Sequence, residues 1–163
     1  MITKITPNER IVIPNSHRKV PFSVVESYKN LRTNIISVLS KSGNNVLAIT
    51  SPNASEGKST TSVNVAITLA QLNKKVILVD ADSRRPSINK KLKLENQKGC
   101  MNFLRGDIEL SDAIIHYNKY LDVITSGTKV KNPSELFSSE KFDDMLEELK
   151  DRYDYIILDT PPV

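Results

Sequence analysis

Short, continuously apolar segments alternate with helical patterns along most of the chain. Four apolar runs, at residues 46–50, 76–80, 121–125 and 155–159, have the length and the Val and Ile content of buried strands. Strands that are apolar on both faces are typical of parallel sheets that helices cover on both sides. The pattern therefore predicts an α/β fold built on a mainly parallel sheet.

Three helical patterns precede or separate these strands. The first begins at Ser23, because Ser23 and Glu26 have the spacing of a capping box, and it is predicted to run for about four turns. In each pattern, apolar residues recur at intervals of three or four. These positions are Val24, Tyr28, Leu31, Ile35 and Leu39 in the first helix, Val63, Ala66, Ile67 and Ala70 in the second, and Phe142, Met145, Leu146 and Leu149 in the third.

Two segments lack a clear period. Residues 1–22 contain three of the eight prolines, which predicts an extended N-terminal arm before a single domain at residues 23–163. Residues 83–120 are basic at first and then mixed, and the pattern there predicts short helices, one of them starting at Ser111.

Composition excludes several classes of protein. A chain of 163 residues with 39% hydrophobic residues can bury a core without disulfides or a structural metal. One cysteine, Cys100, and two separated histidines, His17 and His116, exclude a disulfide framework and a Cys/His zinc site. No apolar run approaches the roughly 20 residues of a membrane span, and residues 1–4 do not open a signal peptide. A reduced, cytoplasmic setting is therefore predicted.

The formal net charge of +4 conceals an uneven distribution. Residues 1–100 contain 16 basic residues (Lys and Arg) and 6 acidic residues (Asp and Glu). Residues 101–163 contain 7 basic and 13 acidic residues. Such asymmetry is compatible with nucleic acid, a phosphorylated ligand, an anionic membrane surface or a subunit contact, and composition does not distinguish among them.

A phosphate-binding pattern lies between a predicted strand and a predicted helix. Gly57, Lys58 and Ser59 fit the end of a loop whose main-chain N–H groups surround phosphate oxygens, while the lysine reaches the terminal phosphates and the hydroxyl binds Mg²⁺. Pro52 occupies the place of the first glycine of that pattern. A solvated helix start is the alternative interpretation, and the strand-loop-helix context favours the phosphate site.

Aspartates close two further predicted strands. Asp80 and Asp82 lie at the end of one, and Asp159 ends another. Each aspartate alone is equally typical of a loop cap. However, the carboxyl ends of parallel strands meet at the edge of the sheet where ligands collect. The phosphate loop and the three carboxylates therefore predict a site for a nucleotide and Mg²⁺.

Four segments together resemble the bacterial tyrosine kinases of capsule and exopolysaccharide synthesis. They are Gly-Lys-Ser-Thr-Thr at 57–61, Val-Asp-Ala-Asp-Ser-Arg-Arg-Pro at 79–86, Asn-Pro-Ser-Glu-Leu at 132–136, which follows Ser126-Gly127, and Ile-Leu-Asp-Thr-Pro-Pro at 157–162. These match the Walker A, Walker A′ and Walker B motifs of that family over about residues 23–163. The family loop usually carries Pro and Gly where this chain has Ala54 and Ser55.

The resemblance implies a P-loop NTPase-type fold, preceded by the amphipathic helix, and an ATP-dependent, autophosphorylating protein-tyrosine kinase of the non-specific type. Lys58 would hold the β- and γ-phosphates, and Asp80 would accept or orient the tyrosine proton. Arg84 and Arg85 would contact phosphate or an acidic tyrosine segment, or are simply solvated. The implied ATP-binding residues are Ser55, Glu56, Gly57, Lys58, Ser59 and Thr60, and the implied Mg²⁺ ligands are Ser59, Asp82 and Asp159.

The first helix carries a second family feature. Glu26, Lys29 and Arg32 follow a Glu-x-x-Arg-x-x-Arg pattern that joins neighbouring family subunits into a ring, with Lys29 in place of the middle arginine. Their spacing keeps them within an arc of roughly 120° on the helix. Self-association is therefore predicted, with a solvated helix face as the alternative.

Other partners follow from the same resemblance. It implies a membrane-embedded activator, tyrosine-containing protein substrates and recruitment to the inner face of the plasma membrane through a partner, and it makes nucleic acid an unexpected ligand. The alternative function is a partition or cell-division ATPase of the MinD or ParA type, which usually carries a second lysine where this chain has Asn53. The family's tyrosine-rich tail and the strands expected after Val163 are not in this sequence, which predicts that it is part of a longer protein.

Overall fold

A computed structural model describes residues 20–163, which form a five-stranded sheet with helices on both faces. The predicted α/β fold is therefore confirmed. The strands are β1 (Val46–Ile49), β2 (Val76–Asp80), β3 (Ile114–Asn118), β4 (Leu121–Ile124) and β5 (Tyr155–Asp159). The helices are α1 (Phe22–Ser42), α2 (Lys58–Ala70), α3 (Ile88–Leu92), α4 (Cys100–Arg105), α5 (Leu110–Ala113), α6 (Pro133–Phe137) and α7 (Glu140–Arg152).

The order of the strands brings three strand ends together. Across the sheet the order is β1-β5-β2-β4-β3, and every neighbouring pair is parallel except β3 with β4. The register places Asp159 of β5 beside Ile49 of β1 on one side and beside Asp80 of β2 on the other. The loop after β1 and the carboxylates that end β2 and β5 therefore lie at one edge of the sheet.

Alternation along the strands divides the core into two clusters, one on each face of the sheet. The first face packs against α2, and α1 covers that helix in turn, whereas the second face packs against α4 and α7. Central strand residues include Val76, Leu78 and Ile157 in the first cluster and Ile77, Val79 and Ile156 in the second. Because both faces are covered, the continuously apolar strands β2 and β5 have no solvated side.

The N-terminal helix differs from its prediction. It begins at Phe22, and its first turn closes on the carbonyl of Pro21, so the capping box predicted from Ser23 and Glu26 is wrong. The helix also continues for 21 residues rather than about four turns. No helix in residues 20–163 is both long and apolar enough to cross a bilayer. The extended arm predicted at 1–22 lies almost entirely outside the described residues.

The buried side of α1 is rotated from the predicted stripe. Tyr28, Ile35 and Leu39 face the core as predicted, but Leu31 is 38% exposed, so the prediction for Leu31 is wrong. At about 100° per residue, Leu31 falls at the margin of the face centred between Tyr28 and Arg32. Arg32 takes that central position because its Nη1 donates to the carbonyl of Thr68 in α2 at 2.9 Å.

The segment that was predicted only as short helices also contains a strand. Helices α3, α4 and α5 are present, and α5 begins one residue before the predicted start at Ser111. Strand β3 follows and pairs antiparallel with β4, with an irregularity between His116 and Asn118. The two strands are joined through Asn118, whose Oδ1 accepts the N–H groups of Tyr120 and Leu121, both at 2.9 Å. The sheet is thus mainly, and not wholly, parallel.

Candidate nucleotide-binding site

The phosphate loop ends at a glycine that the geometry requires. Gly57 precedes the first residue of α2 with φ of +93°, a left-handed conformation that side chains disfavour. Its carbonyl accepts the N–H of Thr61 at 2.9 Å. The main-chain N–H groups of Lys58, Ser59 and Thr60 lie in the first turn of α2, where the helix itself offers them no carbonyl acceptor. This turn carries no acidic residue, so the positive end of α2 is not neutralised by its own first turn and can bind an anion.

The rest of the loop is held by its own hydrogen bonds. Asn53 donates from Nδ2 to Oε1 of Glu56 at 2.9 Å, and its main-chain N–H reaches the other carboxylate oxygen. These bonds hold the pKa of Glu56 below its ordinary value. Ser55 adopts φ of +67°, which costs a residue other than glycine roughly 1–2 kcal/mol. The loop therefore keeps a glycine-like bend at Ser55, and the side chain of Glu56 serves the loop itself.

Lys58 lies among carboxylates with almost no access to solvent. Its side chain is 7% exposed, and Nζ lies 3.8 Å from Oδ2 of Asp82, whose side chain is 5% exposed. Asp82 also accepts the main-chain N–H of Arg85 through Oδ1 at 2.9 Å, which fixes its orientation. The lysine of the Walker A segment and the second aspartate of the Walker A′ segment are therefore neighbours in the site.

Asp80 is fully buried and organises the loop that follows β2. Its Oδ1 accepts the N–H of Asp82, and its Oδ2 accepts those of Ser87 and Ile88 at the start of α3. Burial and then the charge of Asp159 raise its pKa to about 7, although the three N–H donors oppose the shift. Asp80 can therefore gain or lose a proton near neutral pH, and it anchors α3.

Asp159 has one satisfied oxygen and one unsatisfied oxygen. Oδ1 accepts the hydroxyl of Ser62 at 2.9 Å, and Ser59 also donates to this carboxylate. Oδ2 is buried and has no protein partner. Burial raises the pKa of Asp159, while the serine hydroxyls and Lys58 act in the opposite direction. An unpaired buried carboxylate oxygen is costly unless a cation or donor reaches it.

An open cleft of about 940 Å³ lies in front of these groups. The phosphate loop, Lys58, Ser59 and Asp82 line it, whereas Asp80 and Asp159 lie behind. Positive side chains surround its rim, and the described residues offer none of Arg84, Arg85, Lys90 or Lys129 an ion pair. The cleft is therefore suited to a strongly anionic ligand.

The predicted site residues fall into two separate places. The phosphate loop and the three aspartates come together, whereas Glu26, Lys29 and Arg32 lie on α1 and do not line the cleft. Lys29 pairs with Glu26 at 2.9 Å. The site residues predicted from the sequence do not include Ser62, Asn89 or Lys91. Ser62 follows Lys58 by one helical turn, which was a usable signal, but nothing local marks Asn89 or Lys91.

Comparisons with known proteins agree with this geometry. A family model described as an AAA domain matches residues 44–163. The chain is 41% identical over 140 residues to the tyrosine-protein kinase Ptk of Acinetobacter johnsonii, covering 85% of this chain and 19% of that protein. It is 39% identical over 156 residues to the tyrosine-protein kinase CpsD of Streptococcus agalactiae, covering 94% of this chain and 67% of CpsD. The sequence therefore spans only part of these relatives.

Solved structures show the same relationship. The kinase domain of Escherichia coli tyrosine kinase ETK superposes with a TM-score of 0.82 at 35% identity, covering 92% of this chain and 63% of that one. The septum site-determining protein MinD of Pyrococcus horikoshii, complexed with Mg-ADP, gives a TM-score of 0.62 at 24% identity and covers 72% of this chain and 49% of MinD. The second likeness shows the fold alone. P-loop domains generally bind a nucleotide together with a divalent metal.

Proposed function

Because this chain belongs to the family of bacterial tyrosine kinases, we propose that it transfers the γ-phosphoryl group of ATP to tyrosine hydroxyls of proteins, including its own. The convergence of the phosphate loop, the Asp80–Asp82 segment and Asp159 at one sheet edge carries this proposal. Phosphoryl transfer depends mainly on positioning and on neutralising charge. A buried lysine, an open helix N-terminus and three carboxylates provide both.

Lys58 is the central electrostatic group of the proposed reaction. With its side chain nearly excluded from solvent, its charge acts more strongly on a phosphoryl group than it would in water. It holds the β- and γ-phosphates and stabilises the charge that develops during transfer. The N–H groups at the start of α2 complete the phosphate site, together with Ser55, Gly57 and Thr60. Glu56 contributes by closing the loop on Asn53.

Ser59, Asp82 and Asp159 are the proposed Mg²⁺ ligands, directly or through water. The donors are all oxygens, which Mg²⁺ prefers, and the unpartnered Oδ2 of Asp159 is a free acceptor beside the hydroxyl of Ser59. Mg²⁺ usually takes only one or two carboxylates and completes its shell with phosphates and water. Within residues 20–163 no group of three or more His, Cys, Asp or Glu side chains could hold a metal ion by itself. Held by these residues, Mg²⁺ would supply positive charge that offsets the charge of the phosphate oxygens.

Asp80 is the proposed group that accepts or orients the tyrosine proton. A pKa of about 7 suits proton transfer at neutral pH. Its burial behind Asp82 also makes it a positioning residue, because its carboxylate holds the N–H groups that start α3. The cationic rim of Arg84, Arg85, Lys90 and Lys129 favours a tyrosine in an acidic segment.

The proposed setting is capsule or exopolysaccharide synthesis at the inner face of the plasma membrane. There the cytoplasmic kinase would act with a membrane-embedded activator and assemble into a ring with further copies of itself. We do not propose nucleic acid as a ligand. ATP and an acidic substrate segment would be sufficient partners for the exposed cations at the cleft.

The proposed ring contact should depend on Glu26 and Lys29. The side chains of Glu26 and Lys29 are 39% and 43% exposed, whereas Arg32 is bonded to α2 of its own chain, so the test leaves Arg32 intact. We expect the double variant Glu26→Ala/Lys29→Ala to shift the mass of the protein towards the monomer in light scattering. Glu147→Ala/Lys150→Ala removes a pair of the same spacing from α7 and is the matched control. An unchanged mass of the first variant would reject this contact.

Labelled ATP distinguishes the kinase from the alternative ATPase. The intact protein is incubated with γ-labelled ATP, Mg²⁺ and a copolymer of Glu and Tyr, with and without the membrane-embedded partner. We expect label in phosphotyrosine on the copolymer and on the protein. Label released only as free phosphate would instead support a switch of the partition or cell-division type.

A further inference from the structure

A second lysine reaches the phosphate loop from outside the recognised motifs. Lys91, on α3, donates from Nζ to Oγ1 of Thr60 at 3.0 Å. Both residues line the cleft that contains Lys58 and Ser59. Thr60 belongs to the open first turn of α2, where the main-chain N–H groups face the anion site. The ammonium group of Lys91 is therefore placed at the phosphate cradle.

The position of Lys91 is fixed by the packing of α3. Ile88 and Leu92 are buried in the core on either side of it. Asp80 accepts the N–H groups of Ser87 and Ile88, so a buried carboxylate of β2 caps the start of this short helix. Lys91 is thus presented by a rigid support rather than by a free loop.

Its surroundings leave Lys91 with capacity for an anion. Burial lowers the pKa of Lys91, and the nearby charge of Asp159 acts in the opposite direction. Among residues 20–163 no carboxylate forms an ion pair with it. One of its three N–H donors serves Thr60, and two remain.

We propose that Lys91 is a second phosphate-binding lysine, which contacts phosphates of the nucleotide that are not transferred. This inference rests on the nucleotide site of the proposed function. Lys91 is held at Thr60, whereas Lys58 lies beside Asp82, so the two lysines reach the cradle at different residues. Such a contact is the same before and after transfer. It strengthens the binding of ATP and ADP alike and changes the rate at saturating ATP little.

The test compares Lys91→Gln with Lys93→Gln. Lys93 follows the same helix and has the same charge, but it is exposed and does not line the cleft. We expect Lys91→Gln to weaken the binding of fluorescent ADP and ATP by about tenfold to a hundredfold, the usual effect of one charge-assisted contact. Added salt should weaken nucleotide binding less in this variant, because one charged contact is missing. Lys91→Arg should recover part of the affinity, and Lys93→Gln should behave as the unmodified protein.

Stability separates a phosphate contact from a structural role. The melting temperature without nucleotide should be nearly unchanged in Lys91→Gln, while the increase on adding ADP should be smaller. If Lys91→Gln does not fold, the test uses Lys91→Met instead, because Met retains the apolar part of the side chain. ADP affinity within twofold of the unmodified protein in a folded variant would overturn the proposal. If ADP binding depends on Lys91 but no phosphotyrosine forms, the lysine is assigned correctly and the kinase function is wrong.

Discussion

Lys58→Met is expected to form phosphotyrosine at least about 10³-fold more slowly than the unmodified protein. The Lys58 side chain is 7% exposed, and Met fills a similar volume without the charge. Loss of the charge removes the group that neutralises the transferred phosphoryl and leaves Asp82 without its cation. Initial rates with labelled ATP and the Glu/Tyr copolymer measure the effect, and circular dichroism checks the fold.

A surface lysine provides the matched control for this variant. Lys74 is exposed in the turn between α2 and β2, at the end of the sheet opposite the phosphate loop. Lys74→Met makes the same chemical change and should keep the full rate. If folded Lys58→Met labels tyrosine as fast as Lys74→Met does, the phosphate loop has been assigned wrongly.

The buried strands could be predicted because each carries its own signal. Strands β2 and β5 are apolar on both faces, and only a strand covered on both sides of a sheet has that pattern. Their last residues, Asp80 and Asp159, break the apolar run at the edge where the site lies. The fold and the main carboxylates were therefore predictable from local sequence together with one rule about parallel sheets.

Strand β3 shows where local sequence was insufficient. It is an edge strand of mixed polarity, and it pairs with β4 through a turn that has no Asn-Gly or Asp-Gly signal. The side chain of Asn118 stabilises that turn instead, by accepting two main-chain N–H groups. Nothing in the alternation of residues 114–118 distinguishes this arrangement from a short helix.

Tertiary packing also decided the orientation of α1 and the composition of the site. Leu31 belongs to a helical apolar stripe by spacing, yet Arg32 occupies the inner face because a carbonyl of α2 is available to it. Lys91 joins the phosphate loop only because Asp80 and the core hold α3 beside α2. A contact between residues 31 positions apart, such as that of Lys91 with Thr60, produces no repeating pattern by which a single sequence could reveal it.

Asp159→Asn should stabilise the ligand-free protein while it removes the activity. The carboxylate of Asp159 is buried with Oδ2 unpartnered, and it lies beside the carboxylate of Asp80 across the sheet. Asn has nearly the same shape and no charge, so we expect a gain of order 1 kcal/mol, or about 2–4 °C in melting temperature. Loss of a proposed metal ligand should lower the rate of phosphotyrosine formation by about 10²-fold or more.

The gain in stability should depend on pH in a defined direction. Burial raises the pKa of Asp159 in the folded protein. At pH values above 3.8, the ordinary pKa of an aspartate, the folded protein therefore binds more protons than the unfolded chain does. The contribution of Asp159 to the stability of the unmodified protein is therefore most favourable at low pH and falls as the pH rises through this window. Since Asp159→Asn lacks this ionisation, the difference in melting temperature should be small near pH 4 and should widen towards neutral pH. Asp80, with a pKa of about 7, extends this loss of stability to neutral pH in the unmodified protein. The loss should be smaller in Asp159→Asn, because the charge of Asp159 is one cause of the raised pKa of Asp80.

Magnesium provides the second measurement on the same pair of proteins. ADP alone should raise the melting temperature of both, whereas the further increase on adding Mg²⁺ should be clearly larger when Asp159 is present. Asp151→Asn, an exposed carboxylate on α7, should change neither stability nor the response to Mg²⁺. An Asp159→Asn variant that melts at or below the temperature of the unmodified protein at pH 7.5 would contradict the stability argument. One that keeps the full Mg²⁺ response would remove Asp159 from the metal site. The two outcomes are independent because burial of the charge does not require a ligand, whereas the response to Mg²⁺ does.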